Sequence, residues 1–174
     1  MRTKKKYSST VPVVVLCVLV LGSAAAFAQK KFMILRTARP EVKVMLAGTV
    51  EREGVQVPVD KASLVKSGET LNWTITSVNE GNAPANEYKA VGKIPAGTQF
   101  VAGSAHTDGS ATVTYSIDNG KSFSSTPMVD ERQADGTVKK VPAPVSMYQQ
   151  VRYEWSAPLN EGGKLNATYK VRLN

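Results

Sequence analysis

From Leu165 to Leu173 every second residue is apolar: Leu165, Ala167, Tyr169, Val171 and Leu173 alternate with Asn166, Thr168, Lys170 and Arg172. A period of two gives an extended strand one dry and one wet face, and a helix cannot collect such a pattern on one side. The pattern recurs along the chain. Val151, Tyr153 and Trp155 alternate with Arg152, Glu154 and Ser156, and Leu71, Trp73 and Ile75 with Asn72, Thr74 and Thr76. Val42, Val44 and Leu46 alternate with Lys43 and Met45; Val55, Val57 and Val59 follow Gly54; Val113, Tyr115 and Ile117 form a further run. Tyr88 to Ile94 and Gln99-Phe100-Val101 add two more strand candidates. Turn residues separate these runs: Asn79 to Pro84, Pro95-Ala96-Gly97, Asp118-Asn119-Gly120, and Pro158 with Gly162-Gly163. Asn-Gly suits the primed turns that match strand twist. Ser124 to Val145 holds Pro127, Pro142 and Pro144 and reads as a long loop with one short strand near Val138. No segment shows helical spacing with caps. The pattern predicts an all-β chain folded as an antiparallel β-sandwich over residues 41–174. Trp73 and Trp155 are expected to meet in the core between its sheets, where truncating either to Ala would unfold the domain.

The first 28 residues follow other rules. Arg2, Lys4, Lys5 and Lys6 form a basic head, Val11 to Leu21 an apolar run, and Ala26-Phe27-Ala28 a small-x-small site. Together they describe a secretory signal peptide, cut before Gln29. Left uncut, Tyr7 to Ala28 would just span a bilayer, but the apolar run is short and ends at a cleavage-like site. Cys17, the only cysteine, lies in mid-run after Leu16, which does not suit lipid modification. A chain cut here has no thiol, no disulfide and no cysteine ligand, so its fold rests on apolar burial. Residues 29–40 form a leader in which Phe32, Met33, Ile34 and Leu35 sit between basic residues. They are a candidate partner contact, through strand addition to a neighbouring sheet edge or through a membrane surface. The plainer reading is a first strand or tether on the chain's own domain.

Charge narrows the partners. The whole chain carries +8, and loss of the basic head leaves 18 basic against 14 acidic residues, a balance of +4. The excess is spread out, without a compact basic stripe interleaved with aromatics, which argues against nucleic acid. His106 is the only histidine and lies in the polar run Gly103 to Ser110 with Ser104 and Asp108. A Ser-His-Asp set is available by composition, but such sets are recognised by geometry, and near neighbours in a loop seldom converge. Asp108, Asp118, Asp130, Glu131 and Asp135 supply loop carboxylates without the dense spacing of a calcium loop. No catalytic residue, metal site or cofactor site is assigned.

Three punctuated blocks carry a resemblance: Ser67 to Thr76 (Ser-Gly-Glu-Thr-Leu-Asn-Trp-Thr-Ile-Thr), Asn79 to Ala85, and Ile94 to Ser104. In order and spacing they resemble the conserved repeat surface domain of bacteria and archaea, domain of unknown function eleven. The resemblance implies an immunoglobulin-like antiparallel β-sandwich of seven to nine strands, placed in the cell envelope or at the cell surface, with no enzyme activity. Gly68, Trp73, Asn79, Gly81, Pro95, Gly97 and Trp155 are its fold-signature residues here. Gly92 stands where Asp is common in the family, and Trp73 where Tyr is common.

These readings predict an exported, non-catalytic structural or binding module, periplasmic, associated with the outer envelope or secreted. Its partner would be an envelope protein or polysaccharide, with self-association at a strand edge a further expectation. No stable membrane span would remain after cleavage. The alternatives are a secreted or periplasmic hydrolase-like enzyme built on His106, and an accessory subunit of an envelope complex.

Overall fold

The computed structural model describes residues 37–62 and 64–174. The signal peptide expected over residues 1–28, and Phe32, Met33, Ile34 and Leu35, lie outside them. The chain from Ala38 to Asn174 forms one unit. Its strands are β1 (Val42–Arg52), β2 (Val55–Pro58), β3 (Thr70–Asn79), β4 (Lys89–Lys93), β5 (Thr98–Phe100), β6 (His106–Thr107), β7 (Ala111–Ser116), β8 (Met128–Arg132), β9 (Val138–Pro142), β10 (Gln150–Trp155) and β11 (Lys164–Leu173). Among the described residues there is no α-helix, and no helix long and apolar enough to cross a membrane.

All pairings are antiparallel. The larger sheet runs β2-β1-β3-β11-β5, with β6 also on β11; the smaller runs β4-β10-β7. Among the described residues the two layers hold nine strands, and β8 pairs with β9 alone as a separate ribbon. The fold is thus the predicted all-β sandwich, with nine strands in its two layers and the two-stranded ribbon besides.

The alternation read from sequence sets the core. Val151, Tyr153 and Trp155 of β10 are buried, as are Ala167, Tyr169 and Val171 of β11 and Leu71 and Ile75 of β3. Tyr169 faces Trp73 across the β3–β11 ladder, and Val171 faces Leu71. The two tyrosines close the layers with polar tips: Tyr153 Oη donates to Thr168 O at 2.7 Å, and Tyr169 Oη to Lys93 O at 2.7 Å. Burial pushes the Tyr169 hydroxyl up to about 12 and the Tyr153 hydroxyl further.

Two sequence expectations are corrected. The aromatic centre is not a Trp73–Trp155 pair. Trp155 stacks on Tyr88 at 5.5 Å and on Tyr153 at 6.0 Å between ring centroids. Trp73 is only partly buried and lies at the flank of the core. The smaller sheet has three strands, too few to cover all strands of the larger one. The segment Ser124 to Val145 is no loop with a single strand. Asp130 faces Lys140, Glu131 faces Lys139 and Val129 faces Val141, so opposite charges and a valine pair hold the β8–β9 ribbon. A 3-10 turn at Val145–Met147 follows it.

Gly92 has a packing reason. A Cβ there would lie 2.4 Å from Tyr169 Cε1, on a ring that is almost fully buried. Gly92→Ala is expected to displace that ring and lower stability by about 1–3 kcal/mol, as overpacking in a filled core does. A urea unfolding curve superimposing on that of the parent would refute this placement of Tyr169.

Candidate functional site

Among the described residues, the side of β1 away from β3 is covered over only part of its length. β2 pairs with it from Thr49 to Arg52, and Val59 N–H then donates to Gly48 O at 2.9 Å. Pro58 ends β2, and the chain turns away through Asp60 to Ala62, where Lys61 and Ala62 donate to Pro58 O. From Val42 to Ala47, β1 has a strand partner on its β3 side alone among the described residues. Main-chain groups alternate sides along an antiparallel strand. Gly48 points its carbonyl away from β3, while Glu41 O accepts from Glu80 N–H on the β3 side. Val42, Val44 and Leu46 therefore aim their N–H and C=O groups at the open edge.

Their side chains lie on the core side of the sheet, because Val44 faces Ser77 and Leu46 faces Ile75 across the ladder, both buried. Yet Val44 is 54% and Leu46 57% exposed, and Met45 on the opposite face is 48% exposed. Beside them a shallow groove of ≈ 560 Å³ is lined by Leu46, Ala47, Gly48, Pro58, Val59 and Trp73, among others. Gly48 admits the indole, since a Cβ there would stand 2.7 Å from Trp73 Cζ3. Trp73 Nε1 is buried without a hydrogen-bond partner among the described residues.

The candidate chemical groups are committed elsewhere. His106 is exposed on β6, opposite Thr168. Ser104 Oγ donates to Val101 O at 2.6 Å and accepts from Lys170 N–H at 3.0 Å. Asp108 Oδ2 accepts from Asn166 N–H and Asn166 Nδ2, at 3.1 and 2.7 Å. Asp118 accepts from Ser122 N–H, Ser122 Oγ and Ser116 Oγ, which hold its carboxyl far below the usual range. Asp135 accepts from Thr137, and Asp130 and Glu131 face lysines in the ribbon. The Arg52 guanidinium holds Glu69 low from 3.1 Å away. No group of three or more His, Cys, Asp or Glu side chains is placed to hold a metal among the described residues.

The fold-signature residues do converge, as architecture. Gly68 and Gly97 have positive φ and flank the end of β11: Gly68 N–H donates to Leu173 O and Asn174 N–H to Gly97 O. Pro95 O receives Thr98 N–H and Oγ. Asn79 Oδ1 accepts from Gly81 N–H and Glu41 N–H, while its Nδ2 donates to Ala83 O and Leu159 O. A Cβ on Gly81 would stand 2.3 Å from Glu41 N. The lead-in to β1 crosses the turn after β3 there, and only glycine leaves room.

Sequence reasoning missed the open edge of β1. Its signal was the run Val44-Met45-Leu46, which breaks strict alternation and puts apolar groups on both faces. No family model, no curated protein and no solved structure matches this chain.

Proposed function

We propose that this chain is an exported, non-catalytic structural or binding module of the cell envelope, of immunoglobulin-like type, acting through its sheet edges and loops. The open β1 edge carries the reading. A strand that presents unpaired main-chain groups and exposed apolar side chains together is normally blunted or covered in soluble proteins. Kept open, it suits strand addition, where main-chain bonds give affinity and side-chain pockets give selectivity. The basic head, apolar run and small-x-small site at the N-terminus support export. The resemblance of the three punctuated blocks supports an envelope setting, with a protein or polysaccharide partner.

A hydrolase-like enzyme built on His106 has less support. Ser104 and Asp108 spend their polar atoms on Val101, Lys170 and Asn166. Fractionation of the producing cells with an antibody to the domain tests the reading, together with a hydrolase substrate screen on the purified protein. The protein is expected in the envelope or medium and silent in the screen. Retention in the cytosol, or turnover lost on His106→Ala, would overturn it.

A further inference from the structure

We infer that a second copy of this chain docks on the open edge of β1, the two edges pairing antiparallel about a twofold axis at Val44. The inference rests on the binding-module reading and names the partner.

The window available for pairing has defined ends. Above, Gly48 O is already taken by Val59 N–H. Below, Pro40 falls on the same side as Val42 and has no N–H to offer. Between them lie Val42, Val44 and Leu46, centred on Val44. A twofold pairing centred there sets Val44 against Val44 and Val42 against Leu46, twice. Every outward donor and acceptor in the window then gains a partner.

The side chains agree with that register. On the core-side face all pairs are aliphatic, and the half-exposed Val44 and Leu46 of each copy cover those of the other. On the far face Lys43 meets Met45, so the two Lys43 ammonium groups do not oppose each other. Sliding the axis to Lys43 would set like charges in direct contact, which destabilises a cross-strand pair. Lys43 also has its own partner in Glu80, 3.8 Å away. A twofold axis perpendicular to the sheet keeps both core-side faces on one side, so the grooves beside Trp73 in the two copies adjoin.

Size predicts a weak, concentration-dependent dimer. Five paired residues span about 17 Å. Such a contact buries well under the roughly 800 Å² per partner of a standard stable interface.

The experiment is sedimentation of the protein, purified as its own cells make it, over a wide concentration range, with residue-resolved amide exchange. A reversible dimer is expected. In the monomer the amides of Val42, Val44 and Leu46 should exchange fast and those of Lys43, Met45 and Ala47 slowly; the first set should slow as the dimer forms. Val44→Pro removes an edge donor without touching the β3 ladder. It is expected to weaken the dimer at least about tenfold and leave monomer melting close to that of the parent. Val44→Glu and Val44→Lys should each abolish self-pairing, while mixing them restores a dimer, because only the Val44 axis brings the new charges together.

A monomer at every concentration overturns the inference. So does a dimer indifferent to Val44, or slow exchange of the three edge amides in the monomer, which would mean that the edge is already covered. A monomer that still fractionates with the envelope sinks self-pairing and leaves the module reading standing. Turnover in the substrate screen sinks the module reading whatever the sedimentation shows.

Discussion

Asn79→Ala is expected to cost the domain roughly 4–6 kcal/mol, a large share of its stability. The side chain is fully buried and makes four hydrogen bonds, at 2.7 and 2.9 Å as donor and at 3.1 Å twice as acceptor. Its partners are all main chain: Ala83 and Leu159 carbonyls, Glu41 and Gly81 amides. One side chain thus ties the lead-in of β1, the turn after β3 and the loop before β11. Each bond contributes on the order of 1 kcal/mol net, and a partner left dry costs about 1–3 kcal/mol. Water can reach some of these groups, but the bond to Leu159 is wholly buried. A loss of roughly 4–6 kcal/mol follows, against a typical domain stability of about 5–15 kcal/mol. Urea unfolding followed by circular dichroism measures it. A midpoint within about 4 °C of the parent in the matching thermal melt, worth roughly 1 kcal/mol, would contradict the hub.

Asn79→Asp adds a pH signature. It keeps both acceptor contacts but turns a carboxylate oxygen toward the Ala83 and Leu159 carbonyls. The folded state then favours the protonated acid, so the folded pKa lies above the unfolded value of about 3.9. An acid whose pKa is raised on folding destabilises more as pH climbs past its unfolded value. The variant is expected to melt highest in acid and to lose stability from about pH 4 upward. A flat profile would mean that water, not carbonyl oxygen, faces the new carboxylate.

What could be read in advance divides along physical lines. The strands β3, β10 and β11 were legible because their alternation is local and their inward residues meet a covered face. Gly68, Gly97 and Asn79 were legible as turn makers, because positive φ and side-chain bonding within a turn are local properties. Burial of β1 was not legible. Val42, Val44 and Leu46 are apolar at every second position, as Leu71, Trp73 and Ile75 are, but whether such a face is dry depends on the width of the sheet opposite. That sheet is built from β4, β7 and β10, all far from β1 in sequence. The β8–β9 ribbon was hidden for another reason. Its three prolines suggested a loop, yet Pro142 closes a strand of a free two-stranded ribbon, where a missing donor breaks little. Asp135-Gly136, with Gly136 at φ +86°, was the hairpin signal in plain sight.

Trp155→Ala and Trp73→Ala are expected to part company, although the sequence alone made the two tryptophans equivalents. Trp155 is 6% exposed, stacks on two rings and donates from Nε1 to Asp108 O at 2.9 Å. Truncating it empties the middle of the core and strands that carbonyl, a loss of about 3–5 kcal/mol from the cavity alone. Trp73 rests on Gly48 at the flank, and its Nε1 has no partner among the described residues. Removing the indole sacrifices no hydrogen bond and mainly widens a groove that solvent already reaches, so the loss should be less than half as large. Trp73→Phe should cost little, since it discards an orphaned donor and keeps most of the ring. Because these are the only two tryptophans, each Ala variant leaves the other as sole reporter. Fluorescence in Trp155→Ala should be quenched readily by acrylamide through the groove; in Trp73→Ala it should resist until the domain unfolds. The opposite order of stabilities would mean that the smaller sheet lies over β1 and covers the side chains of Val44 and Leu46.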